Sequence, residues 1–181
     1  MKKVLLSSLI LTLCALPVLA YETIIIKFPE RENWVKAYYK KTPLEAILQY
    51  VPKGQRSNDW TESVVVHSYK NKLPINVMIG NESARLLKVN PTGKFKTLRI
   101  TPTDAIIGRC TEDYKTVKGQ CEFFRATIGY ESNVTIHYMN KNKDEFMDDY
   151  NKWFNIIKRA KLYNSYYRDE RILDKSEYFE L

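Results

Sequence analysis

The sequence predicts an α+β domain. Its expected form is an antiparallel β-sheet packed against two or more helices, including a long C-terminal helix, with one disulfide. Three observations carry this. Short segments rich in β-branched and aromatic residues follow one another between proline and glycine turn signals. One long segment near the C-terminus repeats its apolar residues at helical spacing. Two cysteines remain once an N-terminal export segment is set aside.

That export segment comes first in the chain. Lys2 and Lys3 are followed by an uncharged apolar run from Val4 to Leu16, and Val18-Leu19-Ala20 supplies a cleavage-site pattern. The run is too short to span a bilayer. Residues 1–20 therefore read as a signal peptide, and the mature chain is expected to begin at Tyr21. Cys14 lies within this segment and follows Leu13, whereas a lipid-anchoring signal asks for a small residue there. Removing Lys2 and Lys3 lowers the formal charge from +8 to +6. The remaining basic residues are interspersed with acids, as on an ordinary surface.

About 160 residues then remain, enough for one domain with a core of its own, expected over 21–162. Glu22 to Phe28 contains Thr-Ile-Ile-Ile and stops at Pro29, which reads as a strand. Glu30 to Lys41, with Trp34, Val35, Tyr38 and Tyr39, fits either a short helix or an extended segment. Leu44 to Val51 reads as a strand ended by Pro52-Lys53-Gly54. Ser63 to Ser68 is a strand with Val64, Val65 and Val66 at its centre. Pro74 suits the first turn of a helix. Ile75, Met78, Ile79, Leu86 and Leu87 form its apolar stripe as far as about Lys88, and Gly80 weakens it.

Asn90-Pro91-Thr92-Gly93 breaks the chain. Phe95–Thr101 and Asp104–Cys110 read as strands parted at Pro102, and Glu122–Tyr130 and Val134–Met139 as two more. A long helix is expected from Lys143 to Leu162. Asn142 caps it and Glu145 completes a capping box. Phe146, Tyr150, Trp153, Ile157 and Ala160 make one face. Acids fall early and bases late, which complements the helix dipole. Residues 163–181 form an aromatic and charged C-terminal extension.

Cys110 and Cys121 are expected to form a disulfide. Ten residues separate them, Lys118-Gly119 among them as a turn. A redox pair usually has two intervening residues.

His67 and His137 are the only histidines, each in an expected strand. Were those strands neighbours, the imidazoles would approach and could share a metal. No Cys, Asp or Glu spacing completes such a set, so no metal site is assigned. No nucleophile elbow, zinc-protease motif or phosphate-binding glycine loop is present, so no catalytic residue and no cofactor are assigned. Asn81-Glu-Ser83 and Asn133-Val-Thr135 match a glycosylation pattern that matters only in a eukaryotic secretory route.

Aromatic residues are abundant, with 3 Trp, 13 Tyr and 7 Phe. Trp34, Trp60, Tyr166 and Tyr167 lie in boundary or tail segments and are the candidate partner-binding residues; core packing is the competing role. Tyrosine interleaved with lysine also suits single-stranded nucleic acid, a ligand an exported protein seldom meets. The partner expected is an unidentified protein or envelope ligand, with weak contact to anionic membrane surfaces as a further option.

Leu48-Gln-Tyr-Val-Pro-Lys-Gly-Gln55, then Asn58-Asp-Trp-Thr-Glu-Ser-Val64, with the later Gly108-Arg-Cys110 and Gly119-Gln-Cys121, resemble a pattern in small exported bacterial proteins of unknown function. The resemblance covers the middle two thirds of the chain. It implies a compact antiparallel sheet flanked by helices, similar to the PsbP/Mog1 group, and brings no activity. Together these features lead to the expectation of a secreted or periplasmic non-catalytic binding or accessory protein. The alternative is a small exported hydrolase or metal-dependent enzyme using His67 or His137.

Overall fold

A computed structural model describes residues 22–29 and 33–164. Seven strands form one antiparallel sheet: β2 (Trp34–Lys41), β3 (Glu45–Pro52), β4 (Glu62–Tyr69), β5 (Lys94–Ile100), β6 (Asp104–Cys110), β7 (Cys121–Ile128) and β8 (Asn133–Asn140). Their spatial order is β2-β3-β4-β8-β7-β6-β5. Two meanders therefore meet where β8 pairs with β4. A separate pair joins β1 (Glu22–Ile25) to β9 (Lys161–Asn164). The helices are α1 (Ile75–Val89), α2 (Lys143–Asp148) and α3 (Tyr150–Arg159).

Both faces of the sheet are covered, so its central strands are buried on both sides, with the polar residues Arg109, Glu122, Thr135 and His137 under α1. On one face Val64, Val66, Phe123, Ile136 and Tyr138 meet Phe146, Trp153 and Ile157 from α2 and α3. Trp153 is fully buried and stacks on Tyr138 at 3.9 Å between ring centroids. On the other face Ile75 and Met78 of α1 pack on Ala105, Ile107, Phe124 and Ala126. Only these two α1 residues are buried, and Val77, Leu87 and Val89 stay exposed.

The α+β class with a long C-terminal helix is overturned. The described residues are mostly β, about 46% strand, with three short helices. The helical run is interrupted at Asp149 and ends at Arg159; Lys161–Asn164 is strand β9. The start followed local rules: the Asn142 side chain accepts from the backbone N–H groups of Asp144 and Glu145. The end is set by tertiary contacts absent from the local pattern. Arg125 of β7, itself buried, donates from Nη1 to the carbonyls of Ile157 (2.8 Å) and Ala160 (2.6 Å). A cation placed there satisfies the final turn and complements the dipole. Ala160 then turns extended (φ −56°, ψ 133°) and the chain pairs with β1.

Arg125 is held by Asp104 through Nε at 2.8 Å. Arg125→Leu is expected to cost about 2 kcal/mol in urea unfolding, near the value of hydrogen bonds to a charged group. The loss stays moderate because Asp104 keeps the Thr127 hydroxyl at 2.8 Å and Arg99 at 3.8 Å.

The segment 34–41, open between helix and strand in sequence, is edge strand β2. Cys110 and Cys121 form the expected disulfide and face each other across β6 and β7. Tyr163 and Asn164 belong to β9; the remainder of the C-terminal extension and the export segment lie outside the described residues.

Candidate functional site

The disulfide fixes a register that creates the site. With Cys110 opposite Cys121, antiparallel pairing puts Arg109 opposite Glu122. Both point to the α1 face, one residue out of phase with the cysteines. The next strand, β8, brings His137 opposite Phe124, diagonally beside Glu122. Arg109 grips Glu122 in a fork, Nε to Oε2 at 2.8 Å and Nη2 to Oε1 at 2.7 Å. His137 Nδ1 lies 2.6 Å from Glu122 Oε1. With that proton spent on the carboxylate, the 3.3 Å approach of Arg109 Nη2 to the same nitrogen is contact between two donors rather than a bond.

All three side chains are buried. Burial by itself pushes the Glu122 carboxyl up. The Arg109 charge and the hydrogen bond and charge of His137 outweigh that and hold it at about 2. Glu82 of α1 is balanced similarly. Burial raises it, but His137, Arg85 and Arg109 bring it below the ordinary range. Glu82 Oε2 accepts from Arg85 Nε at 3.1 Å and Nη2 at 2.8 Å, and lies 4.0 Å from Arg109 Nη2.

His67 and His137 do stand on neighbouring strands and on one face: His67 is paired with Thr135, and His137 with Val65. They do not converge on a common ligand. His67 Nε2 lies 3.2 Å from Glu45 Oε2, and its ring sits 3.7 Å from that of Tyr69. Burial lowers its pKa, and Glu45 only partly restores it. Among the described residues no group of three or more His, Cys, Asp or Glu is placed to hold a metal ion. His137 Nε2 lies 3.2 Å from Thr135 Oγ1, so Thr135, His137 and Glu122 are connected in the order of an acyl-transfer triad. Thr135 is only 1% exposed and lines a second cavity, of about 170 Å³, with Tyr69, Met78, Glu82 and Asn133.

Beside this cluster a cavity of about 240 Å³ lies at the α1 end of the sheet, lined by Arg109, Glu122, His137, Arg85, Leu86 and Trp60 among others. Val89 (53% exposed) and the strongly exposed Lys118 side chain on its rim open it to solvent. The loop from Thr111 to Gln120, closed by the disulfide, supplies one wall.

The candidate aromatics divide. Trp60 is half-buried at the cavity, with Lys141 Nζ 4.1 Å from its ring centroid. Trp34 spends its ring on the core, 5.0 Å from Phe28 and 5.5 Å from Trp153. Tyr166 and Tyr167 lie outside the described residues. Sequence reasoning missed Arg109, Glu122 and Arg85. The first two were signalled by their positions next to the cysteines.

Comparison with known proteins finds no family model that matches the chain and no significant match among curated proteins. The disulfide is compatible with an oxidising extracellular setting. No helix among the described residues is long and apolar enough to cross a membrane.

Proposed function

We propose that the protein is an exported, non-catalytic binding protein of the periplasm or the extracellular space, and that its ligand enters the cavity under α1. One observation carries this reading. The charged groups nearest the cavity, Arg109, Glu122, Glu82 and Arg85, spend their charge on one another, while the space beside them is open. Such a network costs desolvation free energy and gives a fixed, shaped polar wall. A general base or nucleophile needs an accessible group poised to change its bonding, which this arrangement does not offer. The signal-like N-terminus and the resemblance to small exported bacterial proteins are in keeping with it.

The Thr135–His137–Glu122 connection favours a second reading, a hydrolase with Thr135 as nucleophile. Intact-mass measurement of protein from its native host, after treatment with a fluorophosphonate ester, separates the two. The binding reading expects a chain beginning at Tyr21, one disulfide and no adduct. A chain that keeps Met1 with two alkylatable thiols sinks export. A fluorophosphonate adduct on Thr135 replaces the binding reading with the hydrolase.

A further inference from the structure

Both arginines at the cavity are tied down by one edge only. Arg109 gives Nε and Nη2 to Glu122; among the described residues its Nη1 donates to nothing. The side chain is 3% exposed, yet Nη1 is not one of the sealed unpartnered atoms, which are Asp104 Oδ1 and Asn133 Oδ1. Nη1 therefore keeps some accessible surface, and Arg109 lines the cavity. Arg85 repeats the pattern from α1, giving Nε and Nη2 to Glu82 and leaving Nη1 open. Two pre-oriented guanidinium edges on one cavity are the hardware for a planar anion.

Charge and size narrow the ligand. Arg85, Arg109 and Lys118 line the cavity, each paired with one carboxylate (Glu82, Glu122 and Asp113), and Lys141 over Trp60 leaves a single surplus positive charge nearby. One surplus charge suits a monoanion, and a dianion would be repelled by the buried Glu122 and the half-buried Glu82. A cavity of about 240 Å³ is at the small end of ligand pockets, which suits a small molecule. Leu86, Val89 and Trp60 supply an apolar wall.

We propose that this cavity binds a small organic monocarboxylate, its carboxylate on the open edges of Arg109 and Arg85 and its apolar body against Leu86, Val89 and Trp60. The assignment rests on the binding reading above and adds the ligand class to it. Benzoate serves as the probe, benzamide as its uncharged isostere and inorganic phosphate as the competing anion. The readout is the indole N–H signal of Trp60 in ¹H–¹⁵N spectra, assigned with Trp60→Phe.

Benzoate is expected to shift that signal saturably with a Kd of about 1 mM or tighter, with benzamide and phosphate at least about tenfold weaker. Arg85→Gln alters a largely exposed side chain, so the fold survives, and it is expected to weaken benzoate by about tenfold. Benzamide binding as tightly as benzoate, or an Arg85→Gln affinity equal to wild type, overturns the carboxylate assignment and leaves the binding reading standing. Tighter binding of phosphate replaces the carboxylate with an inorganic anion. If none of the three probes moves Trp60 up to about 10 mM, the cavity is not the site, and both the ligand class and its placement fall.

Discussion

Glu122→Ala is expected to destabilise the protein by about 3–5 kcal/mol, the cost of leaving a buried charge without its partner. The stranded group is Arg109, whose side chain is 3% exposed and whose two engaged nitrogens both serve Glu122. The double variant Arg109→Met with Glu122→Leu removes both charges and is expected to recover most of that loss. Urea midpoints of the three proteins at neutral pH test this. An equal loss in the single and double variants would show that packing volume, rather than the orphaned charge, sets the cost.

Acid provides a second test of the same pair. The Glu122 carboxyl is held at about 2 when folded, against about 4.3 in an unfolded chain. The folded value is the lower one, so the ionised form favours folding. That contribution is complete above about pH 4.3 and drains away as pH falls toward 2. At about 1.36 kcal/mol per pKa unit it amounts to roughly 3 kcal/mol. Wild type should therefore lose more stability than the double variant between pH 5 and pH 2. Parallel curves would refute it.

Local rules carried the strands and the start of the last helix. The β-branched runs around Val64–Val66 and Val134–Ile136 needed no tertiary information, because β-branched residues bounded by turn signals mark a strand locally. The Asn142 cap was equally legible. What failed was the far end of that helix. The apolar period through Ile157 and Ala160 continues helically in sequence. Its termination depends on Arg125, more than thirty residues earlier, and on strand β1 arriving to pair with β9. Neither partner leaves a local trace.

The site divides along similar lines. A hairpin closed by Cys110 and Cys121 implies Arg109 opposite Glu122 by counting alone. Placing His137 next to that pair requires knowing that β8 neighbours β7. Placing Arg85 there requires knowing which sheet face α1 covers. The sequence also suggested Trp34 and Trp60 on equal terms. The structure separates them, because Phe28 and Trp153 offer Trp34 an aromatic pocket while Trp60 stays at the cavity mouth.

Replacing Cys110 and Cys121 together with serine is expected to cost about 3 kcal/mol, within the range for a native disulfide closing a loop of this length. For a chain of this size that is a fall in Tm of about 10 °C. The disulfide lies at the ends of two strands already in register, so both strands persist at ordinary temperature in the serine variant. The loop between them depends on it more. Within that loop Tyr114 and Val117 pair, Gly119 N–H donates to Asp113 Oδ1 at 2.7 Å, and Thr111 and Gln120 exchange bonds. These contacts are mostly short-range and partly exposed, and such contacts open first. The same loop gives Lys118 and Gln120 to the cavity. Amide exchange in 111–120 should therefore accelerate more than exchange in β7 or β8, and benzoate should weaken in the serine variant while the core signals of Trp153 stay in place. Uniform acceleration across the sheet would show instead that the bond stabilises the whole fold and has no particular hold on the cavity wall. An unchanged Tm on reduction would show that the hairpin is already locked by its strand ladder and by the Arg109–Glu122 fork, one residue inside the cysteines.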